Sequence, residues 1–424
     1  MKKTEFYIVI FLILLSGSAY RVFAQKSEAW EPADKFGFFL EGKRKITRIP
    51  FEFHSNLIIV PVQINNSDTL HFILDTGVST TLITDPNALN NQKLDLTRPV
   101  VLSGAGEGQA VSAHVALDNS LSMLRMKANH QNLLILDEDF LHLSEYVGVP
   151  VHGIFGYDIF NNFVVTIDFN HKELILEEPG RYKYRKRKGD KYPITIEDTK
   201  PFTNAVALFA DGREHPIRVI IDTGAGHALF LDKTEDNIIP VPEKVIRTQL
   251  GRGLNGIING SLGRIERIKF GRFELDNIVA SFPDSTSFGS KLPDRDERQG
   301  NVGCELLRRF KVTMNYQDRY MVLKPVKKRL REAFEHDMSG LEVVAAGSKL
   351  RDYYVRAVAK DSPAQRAGLT EGDQILFVND RAAADISISE IYKMLQKGDG
   401  REVELLIKRE GKIFFSRFLL HRMI

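Results

Sequence analysis

Apolar residues between about position 50 and position 325 come in short runs, with Gly, Asn and Asp between them. Residues 57–64 (Leu-Ile-Ile-Val-Pro-Val-Gln-Ile), 72–74 (Phe-Ile-Leu), 163–167 (Phe-Val-Val-Thr-Ile) and 174–176 (Leu-Ile-Leu) read as strands. Long stretches with helical three-and-four spacing are scarce here, so this part of the chain is mostly β. The texture changes near Ser339. Leu341–Val344 and Tyr354–Val358 read as strands, Ser362 and Pro363 start a helix that Gly368 ends, and an amphipathic helix follows near Ile388 to Gln396. That end is a small α+β unit. At the other end, Lys2 and Lys3 precede ten unbroken apolar residues, Phe6 to Leu15, and then small residues up to Val22-Phe23-Ala24. This is the layout of a secretory signal cleaved after Ala24. Ten apolar residues are too few to span a bilayer comfortably, and no other stretch approaches that length.

Sliding the sequence along itself reveals a repeat. At a shift of 147 positions, Asp75-Thr76-Gly77 falls on Asp222-Thr223-Gly224, Leu82 on Leu229 and Asp85 on Asp232. Gly104 and Gly106 fall on Gly251 and Gly253, Gly156 on Gly303, and Phe163, Val165 and Thr166 on Phe310, Val312 and Thr313. No gap is needed at any of these points. One β domain therefore occurs twice. Two charged joints punctuate the chain, a basic run at 181–191 and a second at 324–332 that has the makings of a short surface helix. The expected division is a signal at 1–24, a first lobe at 25–180, a basic linker at 181–191, a second lobe at 192–326, a linker at 327–338 and the α+β unit at 339–422.

The repeated triplet carries the chemistry. One Asp-Thr-Gly arises by chance in a chain of 424 residues with odds of order one in ten. An Asp opening a tight turn after a strand would explain one copy. It does not explain why both copies keep all three residues while most neighbours have diverged. Two carboxyl groups pressed together cannot both ionise, so the pair holds one shared proton. The ionised group can take a proton from a water, and the protonated one can donate to a peptide carbonyl. This is general acid–base catalysis with water as nucleophile. Asp75 and Asp222 are the expected pair. Thr76 and Thr223 supply hydroxyls to lock the two loops, and Gly77 and Gly224 let backbone amides approach the carboxylates.

Two lobes with one Asp-Thr-Gly each resemble the pepsin-type and retropepsin-like aspartic proteases, over roughly residues 50 to 325. That resemblance implies a two-lobed pepsin-like fold, a duplicated retropepsin-like β domain. It also implies, in each lobe, an apolar-apolar-Gly strand crossing behind the catalytic loop. Gly153-Ile154-Phe155-Gly156 fits, whereas Gly300-Asn301-Val302-Gly303 places Asn301 at an apolar position. A Gly-containing flap would cover the cleft. Gly104, Ala105 and Gly106 stand where the resemblance puts a substrate-binding flap, and Gly251 to Gly256 stand at the equivalent place in the second copy. Two flaps, as in the dimeric retroviral enzymes, and a single flap, as in pepsin, both remain open. Gly251-Arg252-Gly253-Leu254-Asn255-Gly256 also matches a dinucleotide fingerprint, but Ile257 to Gly263 read as turn and strand, not as the helix that fingerprint requires next. Val78 and Ala225 follow the two triplets where many pepsin-like enzymes have Ser or Thr. His227, close to the second triplet, has two readings, a residue that tunes the dyad and a turn histidine with no catalytic part, and the second is the one adopted.

The C-terminal run, with Ser362-Pro363-Ala364, Ala367-Gly368-Leu369 and Gly372-Asp373-Gln374-Ile375-Leu376, resembles a PDZ domain. The resemblance implies a peptide-binding sheet edge whose carboxylate cradle is Gly340, Leu341, Glu342 and Val343, with Ile391 and Leu395 flooring the pocket. A PDZ fold that only packs on the protease is the other reading.

Composition narrows the classes further. Hydrophobic residues make up 43% and charged residues 27%, ordinary for globular domains with real cores. A net charge of +3 gives no reason to expect nucleic acid. The eleven histidines are scattered without metal-ligand spacing, and neither a serine elbow nor a phosphate loop is present, so no metal or cofactor is expected. Cys304 is the one cysteine, which excludes an internal disulfide and suits a bacterial envelope better than an animal extracellular space. It reads as a small buried hydrophobe. The expectation is an aspartic endopeptidase of the periplasm or cell envelope. It would act on a peptide or protein substrate and, with both half-sites on one chain, as a monomer. A catalytically silent peptide-binding scaffold working through its PDZ domain is the alternative.

Overall fold

The computed structural model describes residues 35–232, 239–288 and 298–424. The signal segment lies outside them. Each lobe is built on its own sheet. In the first, strands Leu57–Ile64, Leu70–Leu74 and Gly153–Phe155 stand side by side, the last running parallel to the second with Ile154 opposite Ile73. In the second, Gly300–Val302 runs parallel to Glu214–Ile221, with Asn301 opposite Ile220, and antiparallel to Leu229–Leu231. The expected crossing strand is thus present in both copies. These strands read as apolar because both faces are covered: Phe72, Leu74, Val219 and Ile221 are fully buried.

A third, six-stranded sheet joins the lobes. Its order is Asp190–Pro193, Tyr320–Pro325, Phe310–Asn315, Val164–Asp168, Glu173–Glu177 and Ile46–Pro50. At its centre the two copies pair residue with equivalent residue. Thr166 lies opposite Thr313, and their hydroxyls are 2.8 Å apart. This is where the internal repeat becomes a pseudo-two-fold axis. The basic run at 181–191 is partly built into this sheet. Asp190–Pro193 is a strand, Lys188 Nζ sits 3.7 Å over the Tyr182 ring, and Lys191 Nζ sits 3.9 Å over that of Tyr320. Cations packed on aromatic faces hold this run in place. The second joint contains the short helix Lys327–Leu330.

The C-terminal unit is a six-stranded sheet, five strands in the order Leu341–Ala346, Asp352–Val358, Gln374–Val378, Glu402–Arg409 and Lys412–Leu419 and the sixth, Arg381–Ala382, pairing on the third. Its helix Ile388–Leu395 begins at a capping box formed by Ser387 and Glu390. The unit has its own core, to which Ile391 and Leu395 belong. It abuts the first lobe. Ser55 N donates to Ser389 Oγ at 3.0 Å, and a Cβ on Gly148 would meet Ile388 Cγ2 at 2.5 Å.

Candidate active site

Strand Leu70–Leu74 ends at Asp75, and strand Glu214–Ile221 ends at Asp222. The crossing strands anchor both loops in the same way. Asp75 N donates to Phe155 O at 2.8 Å and Asp222 N to Val302 O at 2.9 Å. Gly156 then passes so close behind the first loop that a Cβ there would stand 1.6 Å from Asp75 O, and only glycine fits.

The two threonines tie the loops together. Thr76 N donates to Thr223 Oγ1 and Thr223 N donates to Thr76 Oγ1, each at 3.1 Å, and the Thr76 hydroxyl donates to Ile221 O at 2.5 Å. Both side chains are fully buried. The two Asp-Thr-Gly triplets, 147 residues apart in the chain, therefore meet as a single unit. Gly77 N donates to Asp75 Oδ1 at 2.6 Å and Gly224 N to Asp222 Oδ1 at 2.9 Å. The Asp75 carboxyl lies directly over Gly224, where a Cβ would fall 2.2 Å from Asp75 Cγ. Gly224 is thus needed for this close approach, whereas a Cβ on Gly77 would meet Asp75 Oδ1 at 3.1 Å.

Electrostatics follow from this enclosure. Loss of solvent, and then the neighbouring Asp222 charge, push the Asp75 carboxyl up to about 7 against a bond from Gly77. Burial also raises Asp222, but His227, Asn301, Gly224 and Arg298 all oppose the rise. Such a pair titrates as a unit and retains one proton well above the ordinary carboxylate range. Cys304 lies buried beneath the loops, its thiol facing Thr223 O at 3.4 Å, and burial followed by the two aspartates raises its pKa. It packs as an inert small side chain.

His227 and Asn301 are the residues that sequence reasoning undervalued. Asn301 Nδ2 donates to Asp222 Oδ2 at 2.5 Å, and Asn301 Oδ1 is 2.9 Å from His227 Nε2. Asn301, read as a fault in an apolar strand, directly contacts the candidate dyad. His227, read as a turn residue, holds it. A signal was available: both interrupt the repeat at the same corner, where the first copy has Ile154 and Thr80.

Both lobes raise a hairpin, and the two tips meet. The first joins strands Asp95–Leu102 and Val111–Met123, the second Val245–Gly253 and Gly256–Phe270. Asn255, 2% exposed, is the keystone. Its Oδ1 accepts from Gly104 N at 2.7 Å, its N donates to Ala105 O at 2.8 Å, and its O accepts from Gly108 N at 2.6 Å. Gly106 N reaches Ser287 O at 2.8 Å. Side chains at Gly106 and Gly253 would collide with the opposite hairpin's backbone at 2.5 and 2.4 Å. The geometry is that of two touching hairpins.

At the C-terminal unit, residues Gly340 to Val343 are already engaged from within. Asp337 Oδ2 accepts from Gly340 N at 2.5 Å, Leu341 N donates to Ser339 Oγ at 3.1 Å, and Glu342 pairs with Arg356 at 3.8 Å. Val343 N donates to the Tyr392 hydroxyl at 2.8 Å, and that hydroxyl donates back to Val343 O at 3.1 Å. Helix Leu143–Val147 of the first lobe lies against the same strand. Ile391 and Leu395 are fully buried in the core and do not floor an open pocket. A cavity of about 810 Å³ opens between this unit and the second hairpin, lined among others by Arg247, Gln249, Asp284, Glu342 and Lys360. Neither Asp75 nor Asp222 lines it.

Comparison with known proteins agrees with this architecture. The aspartyl protease family model matches residues 60–159 and 207–306, one segment per lobe, and the PDZ domain model matches residues 354–409. The chain therefore combines a two-lobed aspartyl protease domain with a C-terminal PDZ domain. A solved structure described as a photosystem II D1 C-terminal processing protease is 26% identical over 20% of this chain and 23% of its own, with a TM-score of 0.19. The chain thus spans less than a quarter of that protein's length. Among curated proteins, none matches the chain.

Proposed function

We propose that this protein is an exported aspartic endopeptidase of a bacterial envelope, acting as a monomer. In this reading Asp75 and Asp222 activate a water between them, and the two hairpins close over the substrate. The observation that carries the reading is the reciprocal Thr76–Thr223 bonding, which brings both Asp-Thr-Gly loops into one enclosed unit. One carboxylate draws a proton from water as it attacks the peptide carbon, and the other protonates the carbonyl oxygen. As the tetrahedral diol collapses and the C–N bond breaks, the first carboxyl passes its proton to the leaving nitrogen and a diol hydroxyl returns one to the second. The tips at Gly104, Ala105 and Gly106 and at Leu254 and Asn255, tied to each other through Asn255, roof an extended peptide in the cleft. The PDZ domain recruits or regulates, and a peptide reaching its strand edge has to displace the Tyr392 hydroxyl from Val343. The silent-scaffold reading is not adopted, because the residue that motivated it, Asn301, bonds to Asp222.

A statine-type transition-state mimic tests the reading by calorimetry. Expected is tight binding that weakens as pH rises past about 7, as the retained proton is lost, and that disappears in Asp75→Asn and Asp222→Asn. Binding that persists in both variants, or maps only to residues 339–422, would refute it.

A further inference from the structure

The two halves of the dyad differ in one respect. Asp222 accepts hydrogen bonds on both oxygens, from Gly224 N on Oδ1 and from Asn301 Nδ2 on Oδ2. Asp75 accepts from Gly77 N on Oδ1. The residue of the first lobe equivalent to Asn301 is Ile154, which has nothing to donate, and Thr80 stands where the second lobe has His227. Asn301 is fixed on both sides. Its backbone lies between Ile220 and Phe230 in the sheet, and its side-chain oxygen faces His227 Nε2 at 2.9 Å. The His227 ring in turn packs on Phe230, centroids 5.1 Å apart.

We propose that Asn301, oriented by His227, is a positioning residue that fixes the resting negative charge on Asp222 and leaves the proton on Asp75. This rests on the dyad reading above and assigns direction to it. An amide N–H aimed at a carboxylate oxygen favours the ionised form, and among the described residues only Asp222 of the pair receives one from a side chain. His227 sets which end of the amide faces Asp222. With Nε2 protonated, the ring donates to Asn301 Oδ1 and turns Nδ2 toward the carboxylate. Burial lowers the His227 pKa, and a ring protonated at Nε2 donates to the amide oxygen in its neutral and in its charged form. The other groups facing the pair do not reverse the assignment. Arg298, paired with Asp232 at 3.1 Å, also favours a charged Asp222. Burial keeps the thiol of Cys304 and the phenol of Tyr316 neutral.

The steps then balance. Water gives a proton to Asp222 as its oxygen bonds to the peptide carbon, and Asp75 gives its proton to the former carbonyl oxygen. On collapse, Asp222 protonates the leaving nitrogen as the C–N bond breaks, and the diol hydroxyl returns a proton to Asp75. The enzyme ends as it began, with Asp222 ionised and Asp75 protonated.

The test uses the full chain and the variants Asn301→Ile, which installs the residue of the first lobe, His227→Phe and His227→Gln. Two readouts are taken: the pH profile of kcat/KM on a peptide, and carbon-13 titration of the aspartate carboxyls in the unliganded protein. In the wild type, Asp222 is expected to ionise first. In Asn301→Ile the acid limb moves up by about one to two pH units, the worth of one charge-assisted hydrogen bond, while the alkaline limb stays. His227→Phe moves the same limb less, and His227→Gln, which keeps a donor, returns it toward wild type. A folded Asn301→Ile whose profile superimposes on wild type overturns the proposal, as does Asp75 ionising first. If Asn301→Ile does not fold, equal acid limbs in His227→Phe, His227→Gln and wild type overturn it. Asp75→Asn and Asp222→Asn run alongside. Full activity in both would sink the dyad itself, whereas inactive Asn variants with an unmoved Asn301→Ile profile sink only the assignment of direction.

Discussion

Replacing Thr76 by Val keeps the shape of the side chain and removes its hydroxyl. That hydroxyl donates to Ile221 O and accepts from Thr223 N, in a position with no solvent access. Water cannot replace either bond, so Thr76→Val leaves one buried carbonyl and one buried amide unpaired. Each orphaned group costs about 1–3 kcal/mol, which puts the total at about 2–6 kcal/mol. Thr76→Ser is the control. It keeps both bonds and gives up one buried methyl, about 1 kcal/mol. The expected gap between the two variants is therefore about 1–5 kcal/mol, or a melting difference of roughly 1–6 °C at about 2.1 cal/mol/K per residue over about 400 residues. Urea denaturation of the two variants at neutral pH, with equal m-values, measures it. The Thr76 N to Thr223 Oγ1 bond survives in both variants, so the difference isolates the hydroxyl. Coincident midpoints would refute the claim that this hydroxyl clamps the lobes.

Three further outcomes are expected from the geometry. Gly156→Ala would drive its methyl into Asp75 O and is expected to cut kcat/KM at least about 100-fold by displacing the loop, with unchanged turnover as the contrary result. Asn255→Ala strands the Gly104 amide and loosens the contact between the hairpins, so KM should rise about tenfold with little change in kcat; an effect confined to kcat would contradict the flap role. His336, 4% exposed, has its pKa lowered to about 4, first by burial and then by Arg264 and Arg422. Below pH 6.5 the unfolded chain binds a proton that the folded chain refuses, so stability should drop by up to about 3 kcal/mol as pH falls from 6.5 to 4. Urea titrations of His336→Phe against wild type at both ends of that window check this, and equal losses in the two proteins would count against it.

Much of this architecture is written in the sequence, because a duplicated domain compares itself with itself. Residues 57–64 form the strand that their apolar run predicts, and the 147-residue shift pairs Thr166 with Thr313 in space as it does on paper. Ser362 caps its helix, and the amphipathic segment near Ile388 is helical. What escaped is what depends on side-chain direction between distant segments. Asn301 breaks an apolar pattern because it faces Asp222, which no periodicity rule registers. That the two hairpins touch rests on the Asn255 bonds to Gly104 and Ala105, across about 150 residues of chain. The basic run at 181–191 carries the charge of a linker, but its tyrosines and the pairing of Asp190–Pro193 tie it to the sheet. Strand Leu341–Ala346 reads as an open edge from its own residues, and only the fold brings Tyr392 onto it.

The central claim is that Asp75 and Asp222 work as one catalytic unit. Peptide hydrolysis by Asp75→Asn, Asp222→Asn and the double variant tests it most directly. If each carboxyl needs the other, either single change should abolish turnover by about 100-fold or more, and the double variant should be no worse than the single ones. Two partial losses that multiply in the double variant, or wild-type hydrolysis in either single variant, would contradict the account.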